Sequence, residues 1–292
     1  FFVPLQTGDC PEDWCKPSTN DDEWRSVRVP HDFIVEGNFS SSGDKSHGFL
    51  PYAIGYYRKH LTLPSEFYST DNAYFLHFDG VQTTSTVYLD GQLLGAHASG
   101  YTPFDFELNH TVVKQLTEND GLVLAVEADG TKPDGWWYDG GGIYRHVKLS
   151  VVPNVHISLW GGAYTPAIVT GTITNLTAST AEVCIAIARC SRLDGLFPLL
   201  ALNDIVSHPQ VHPSVTVVNS GNTDASSVNV NCAIFDAAGK RIGQSSGSAK
   251  VAARSNTTVQ LDKIDVPNAQ LWHVVPKPYL YSAQCNASTS TS

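Results

Sequence analysis

The chain has 292 residues, of which 42% are hydrophobic and 16% charged, and a net charge of -10. That is enough apolar material for about two ordinary domains with real cores, and it is not a disordered composition. The acidic balance repels phosphate backbones and anionic headgroups, so neither nucleic acid nor a membrane surface is an expected partner. The sequence contains no run of about 18 apolar residues, so it offers no membrane-spanning helix.

The chain opens at Phe1 and contains no methionine, as expected of a product cut from a precursor. Five Asn-x-Ser/Thr triplets begin at Asn38, Asn109, Asn175, Asn256 and Asn286, and there are six cysteines. Together they point to a secretory route and an extracellular glycoprotein. The cysteine spacings match no zinc pattern. Cys10 with Cys15, and Cys184 with Cys190, are close enough to bridge small loops, and six cysteines allow fifteen complete pairings. Cys232 shares a strand face with Val228, Val230 and Ile234 and reads as a buried free thiol.

In chain order, the elements are strands and turns. Tyr74–Phe78 is rich in β-formers and runs into Asp79-Gly80; Thr86–Leu89 runs into Asp90-Gly91 and then Gln92–Gly95. An Asp-Gly pair between two such runs is a hairpin signal, because both turn positions take positive φ. Leu122–Val126 reads as a buried strand, whereas Val147, Leu149 and Val151 alternate with polar residues as in a strand with one wet face. The style then repeats with Val215–Val218, an alternating run from Val228 to Asp236 that returns through Arg241–Gly243, and Thr257–Leu261. Many short strands with turns between them predict an all-β chain of sandwiches. The boundary falls near Val152-Pro153, where a strand ends. Residues 181–209 show no period of two and read as an irregular insert.

Three ordered passages carry a family resemblance. The first is Val29-Pro30-His31-Asp32-Phe33, followed by Gly55-Tyr56-Tyr57-Arg58-Lys59. The second is Phe78-Asp79-Gly80-Val81, Val87–Gly91 and Gly100-Tyr101-Thr102-Pro103-Phe104. The third and most specific is Trp137-Tyr138-Asp139-Gly140-Gly141-Gly142-Ile143-Tyr144-Arg145-His146-Val147. In order and spacing they resemble the jelly-roll sugar-binding domain of family 2 glycoside hydrolases, most closely the β-galactosidase subgroup. Leu271-Trp272 and Pro278-Tyr279-Leu280-Tyr281 are similar to the end of that family's immunoglobulin-like second domain.

The resemblance implies a galactose-binding-like jelly-roll sandwich over 1–152, an immunoglobulin-like sandwich over 153–284, and a tail over 285–292. It also implies that the first domain lends a loop to the rim of a sugar site. The matching loop here holds Asp134, Trp136, Trp137, Tyr138 and Asp139, with Tyr52 on a second loop. Aromatic rings stack on the apolar face of a pyranose and carboxylates accept its hydroxyl hydrogens. Where relatives carry a polar sugar contact, this chain has Trp136. His31 and Asp32 read as a hydrogen-bonded corner that orients a loop, and Arg58 and Arg145 as partners for Asp32 or Asp79.

Catalysis in the resembled family is retaining and uses two glutamates of a (β/α)8 barrel that follows the second domain. These 292 residues show no βα alternation of that length and no Arg-x-x-His-Tyr-Pro motif, so the chain alone is expected to be inactive. No catalytic residue carries over, and no cofactor or metal is implied. His208 and His212 are flanked by Pro209 and Pro213, which exclude the helix of a zinc pair. The expected partners are a β-galactoside-like carbohydrate and a catalytic barrel, of the same enzyme or of another chain. Two rival readings stand beside this one: a complete secreted carbohydrate-binding or structural glycoprotein that has lost its barrel, and an interaction domain that docks through Trp136–Tyr138.

Overall fold

The computed structural model describes residues 10–118, 121–131, 135–168, 171–173, 205–207, 209–267, 269–270 and 279–289. It divides into two compact units, Phe1–Pro153 and Asn154–Ser292. Asp134, Asn175, Cys184, Cys190, His208, the Leu271-Trp272 passage and nearly all of the expected insert lie outside the described residues.

Among its described residues the first unit contains seven strands, here β1 (Ile54–Leu61), β2 (Asn72–Phe78), β3 (Thr84–Leu89), β4 (Gln92–His97), β5 (Phe104–Leu108), β6 (Leu122–Asp129) and β7 (Val147–Pro153). One sheet runs β1-β6-β3-β4 and the other β5-β2-β7, with every pairing antiparallel. The sheets face each other across one core. Tyr74, Leu76, Phe78, Phe104 and Phe106 come from the second sheet, and Val87, Leu89, Leu124 and Val126 from the first. Phe78 and Phe104 stack with ring centroids 4.9 Å apart. Each such side chain contributes about 1.5–3 kcal/mol on burial, so this layer is the main source of the unit's stability. The first unit is a β-sandwich.

The two Asp-Gly pairs behave differently. Asp90 and Gly91 take φ of 51° and 78° and close the β3–β4 hairpin. Asp79-Gly80 makes no hairpin, because β2 pairs with β5 and β7 whereas β3 pairs with β4 and β6. There the chain crosses between sheets, and the Asp79 carboxylate accepts from Lys148 Nζ at 2.8 Å and meets His77 Nε2 at 2.7 Å. The sequence reading also missed a helix, α1 (His110–Leu116), whose N-cap is Asn109; its Oδ1 accepts from the Val112 N–H at 2.9 Å.

Arg58 is not paired as expected. It donates to Asp21 Oδ2 at 2.8 Å and to the carbonyls of Trp14, Lys16 and Thr19, which ties the segment before β1 onto the sheet. A Cys10–Cys15 disulfide packs there against Tyr88 and Ala125. Arg145 lies with its guanidinium 5.2 Å from the Tyr144 ring centroid rather than on either aspartate.

In the second unit, Ser214–Asn219 lies between Ser255–Gln260 and Val155–Ile157, and Ala225–Phe235 lies between Arg241–Val251 and Ser282–Thr289. Val215, Val217, Val228, Val230, Cys232 and Val259 fill the core that these sheets share. Two expectations are corrected here. Cys232 is not a free thiol but is bonded to Cys285, its direct partner across the strand pair. Residues 285–289 do not belong to a tail, since Ser282–Thr289 is an edge strand of that sheet. Both errors have one cause: an unpaired cysteine in sequence says nothing about a non-local partner strand.

Candidate functional site

The loops at one end of the first sandwich are organised by Asp32. Its Oδ1 accepts from the N–H groups of Ile34 (2.9 Å), Val35 (3.3 Å) and Gly141 (3.1 Å). Its Oδ2 accepts from the Tyr138 hydroxyl at 2.7 Å. Backbone bonds from His31 N–H to Ile143 O (2.8 Å) and from Phe33 N–H to Gly141 O (3.0 Å) lay this segment along the glycine run. The glycines are required by contact. Gly140 has φ +75° and a Cβ there would stand 2.6 Å from Asp32 Oδ2; Gly142 has φ +113° and a Cβ would stand 2.3 Å from the Tyr57 hydroxyl. That hydroxyl also meets His31 Nδ1 at 2.8 Å, and burial pushes the Tyr57 phenol up to about 12.

Tyr138 is held from a second side. Its ring stacks on His47 with centroids 5.2 Å apart, and His47 also stacks on Tyr52 at 4.3 Å. The His47 ring is buried, with Nδ1 3.3 Å from Leu50 O. The Tyr52 hydroxyl donates to Asp44 Oδ2 at 3.4 Å, and Asp44 Oδ1 caps the short turn Lys45–His47 through Ser46 N–H. Burial, then the hydrogen bond to Asp32 and its charge, raise the Tyr138 phenol well above its ordinary value, so it remains a donor at neutral pH.

The pinned Tyr138 presents its neighbours to solvent. Trp136 is 85% exposed and Trp137 56%. Trp137 Nε1–H donates to the Tyr101 hydroxyl at 3.2 Å, and that hydroxyl donates to Asp139 Oδ1 at 3.3 Å. The result is a shelf of aromatic faces edged by hydroxyl and carboxylate oxygens, a surface suited to polyhydroxylated rings. Among the described residues no group of His, Cys, Asp and Glu could hold a metal ion.

The sugar-binding domain model of glycosyl hydrolase family 2 matches residues 49–153. Residues 49–153 are a family 2 sugar-binding domain. The whole chain is 27% identical to a β-galactosidase of Bacteroides ovatus, over 96% of this chain and 29% of that enzyme. A β-galactosidase of Thermoanaerobacter pseudethanolicus is 36% identical over 112 residues, 36% of this chain and 14% of that enzyme. Among solved structures, a Bacteroides uniformis β-glucuronidase superposes with a TM-score of 0.67 at 19% identity, over 98% of this chain and 29% of that one; the likeness is one of fold. The chain thus spans under a third of the length of these full-length relatives, and it corresponds to the N-terminal region of family 2 enzymes.

Within the first unit the structure brings Trp137, Tyr138, Asp139 and Tyr52 into one connected group through His47 and Tyr101. Trp136 stands beside it in solvent, and Asp134 lies outside the described residues. Asp32 is fully used as the loop's anchor. Sequence reasoning missed Asp44, His47 and Tyr101 as members. Tyr101 sits in a passage that carries the family resemblance and could have been found; His47 joins through its stack on the distant Tyr138, and Asp44 through the hydrogen bond from Tyr52.

Proposed function

We propose that this chain is the non-catalytic N-terminal portion of a β-galactosidase-like, secreted glycoside hydrolase, and that its aromatic shelf forms part of the substrate rim and packs towards the catalytic barrel. The observation that carries the reading is the Trp136–Tyr138 loop, exposed in its first two rings yet fixed at Tyr138 by Asp32 and His47. Exposed rings on a rigid support bind sugar at low ordering cost. The names of the relatives supply the galactoside, and the Asn-x-Ser/Thr triplets and two disulfides support the secretory route.

The test uses the 292-residue chain on immobilised galactosides and with a nitrophenyl β-galactoside. Retention that Trp136→Ala and Trp137→Ala each weaken, with no turnover, is the expected result. Turnover that follows the purified chain, or retention indifferent to both substitutions, sinks the proposal.

A further inference from the structure

We propose that Asn286 carries an N-linked glycan whose first N-acetylhexosamine lies in a hollow on the outer face of the second unit's sheet. The proposal rests on the secretory reading above and adds to it a specific site and a docked sugar.

Asn286 heads the triplet Asn286-Ala287-Ser288 in the edge strand Ser282–Thr289. Its neighbour Cys285 points into the core and is bonded to Cys232, so Asn286, one residue on, faces outward and is exposed. The hollow beside it follows from strand register. On the central strand, Ala233 pairs with Gln244 on one side and Gln284 on the other. Its single methyl forms a low floor between two long amides. Asn231, which pairs with Asn286, closes one end and Phe235 the other. Directly paired residues on one face lie about 5 Å apart, so Asn286 sits at the corner of this hollow. The concavity measures about 670 Å³ and is lined by these residues with Gly239 and Arg241; Arg241 holds Gln244 through a 2.9 Å hydrogen bond.

The lining chemistry suits an N-acetylhexosamine. Amide side chains donate to and accept from its hydroxyls and acetamide, and the Phe235 ring offers a face for the apolar side of the pyranose. Among the lining residues Arg241 alone is charged, and it donates to Gln244 Oε1; the other polar groups are neutral amides. Asn38, Asn109 and Asn256 are also exposed acceptors; at Asn109 the cap uses Oδ1 and leaves Nδ2 for attachment.

The covalent step is glycosyl transfer from a lipid-pyrophosphate-linked oligosaccharide. The Asn286 Nδ2 forms a bond to the anomeric carbon of the reducing-end sugar, and the carbon–oxygen bond to pyrophosphate breaks. The lipid pyrophosphate leaves with that electron pair, and the amide gives one proton to solvent.

The experiment expresses the full chain in a eukaryotic secretory host. It maps occupied sites by enzymatic deglycosylation in heavy-oxygen water, and then measures glycan release from the folded protein site by site. Occupancy at Asn286, with release about tenfold slower there than at Asn38 and restored to the Asn38 rate by Ala233→Trp, is the expected result. A vacant Asn286 with Asn38, Asn109 or Asn256 occupied overturns this site and leaves the secretory reading standing. A chain with no occupied site overturns both, and equal release rates at Asn286 and Asn38 overturn the docked sugar.

Discussion

The loop end of the first sandwich and the core of the second are held together by different physics. In the first, one carboxylate gathers three N–H groups and a phenol, and an imidazole stacks on two tyrosines. In the second, alternating valines bury one strand face and a disulfide joins two neighbouring strands. The polar corner gives one loop a defined shape at the surface, where function lies. The apolar core gives stability and asks little of any single hydrogen bond. A substitution therefore has local effects in one region and distributed effects in the other.

The largest expected effect breaks the second region. Cys232→Ala with Cys285→Ala removes a crosslink that closes 53 residues, which costs about 4 kcal/mol on the chain-entropy account. Denaturant unfolding should shift by that amount, while hydrogen exchange in β2, β5 and β6 of the first unit stays unchanged. A matching loss of protection in the first unit would show that the two regions are not independent.

Asp32→Ala comes next, at about 3 kcal/mol, since it leaves buried N–H groups without an acceptor. Hydrogen exchange should rise at Gly141 and Ile143, and binding to galactosides should weaken although Asp32 lies beneath the shelf. Gly140→Ala should cost about 1–2 kcal/mol, from strain at positive φ and the clash with Asp32. An effect of Gly140→Ala as large as that of Asp32→Ala would mean that backbone conformation, and not the carboxylate, holds the loop.

Acid sharpens the contrast. Asp79 has its pKa lowered, first by the hydrogen bond from Lys148 and then by that from His77. A depressed folded-state value contributes stability that is complete above the unfolded carboxylate range near ~3.9 and is lost as pH falls through the folded value. The first unit should thus lose stability below about pH 4, and Lys148→Met should flatten that acid limb. The smallest effect belongs to Trp136→Ala. Its exposed ring should leave stability within about 0.5 kcal/mol while galactoside retention falls, which separates binding from folding at the site.

By itself the sequence determined the all-β class, the strand cores, the Asp90-Gly91 hairpin and the aromatic loop, because alternation, turn chemistry and the order of motifs are local along the chain. Only the tertiary structure decided the rest. Asp79-Gly80 has the same two residues as the hairpin turn, yet it crosses between sheets because β2 finds β5 and β7 as partners. Cys232 looked like a lone core thiol until the edge strand placed Cys285 opposite it. Arg58 chose Asp21, and His47 met Tyr138 from ninety-one residues away. Non-local hydrogen bonds, stacks and crosslinks depend on which strands and loops come together, and no spacing along the chain encodes that directly.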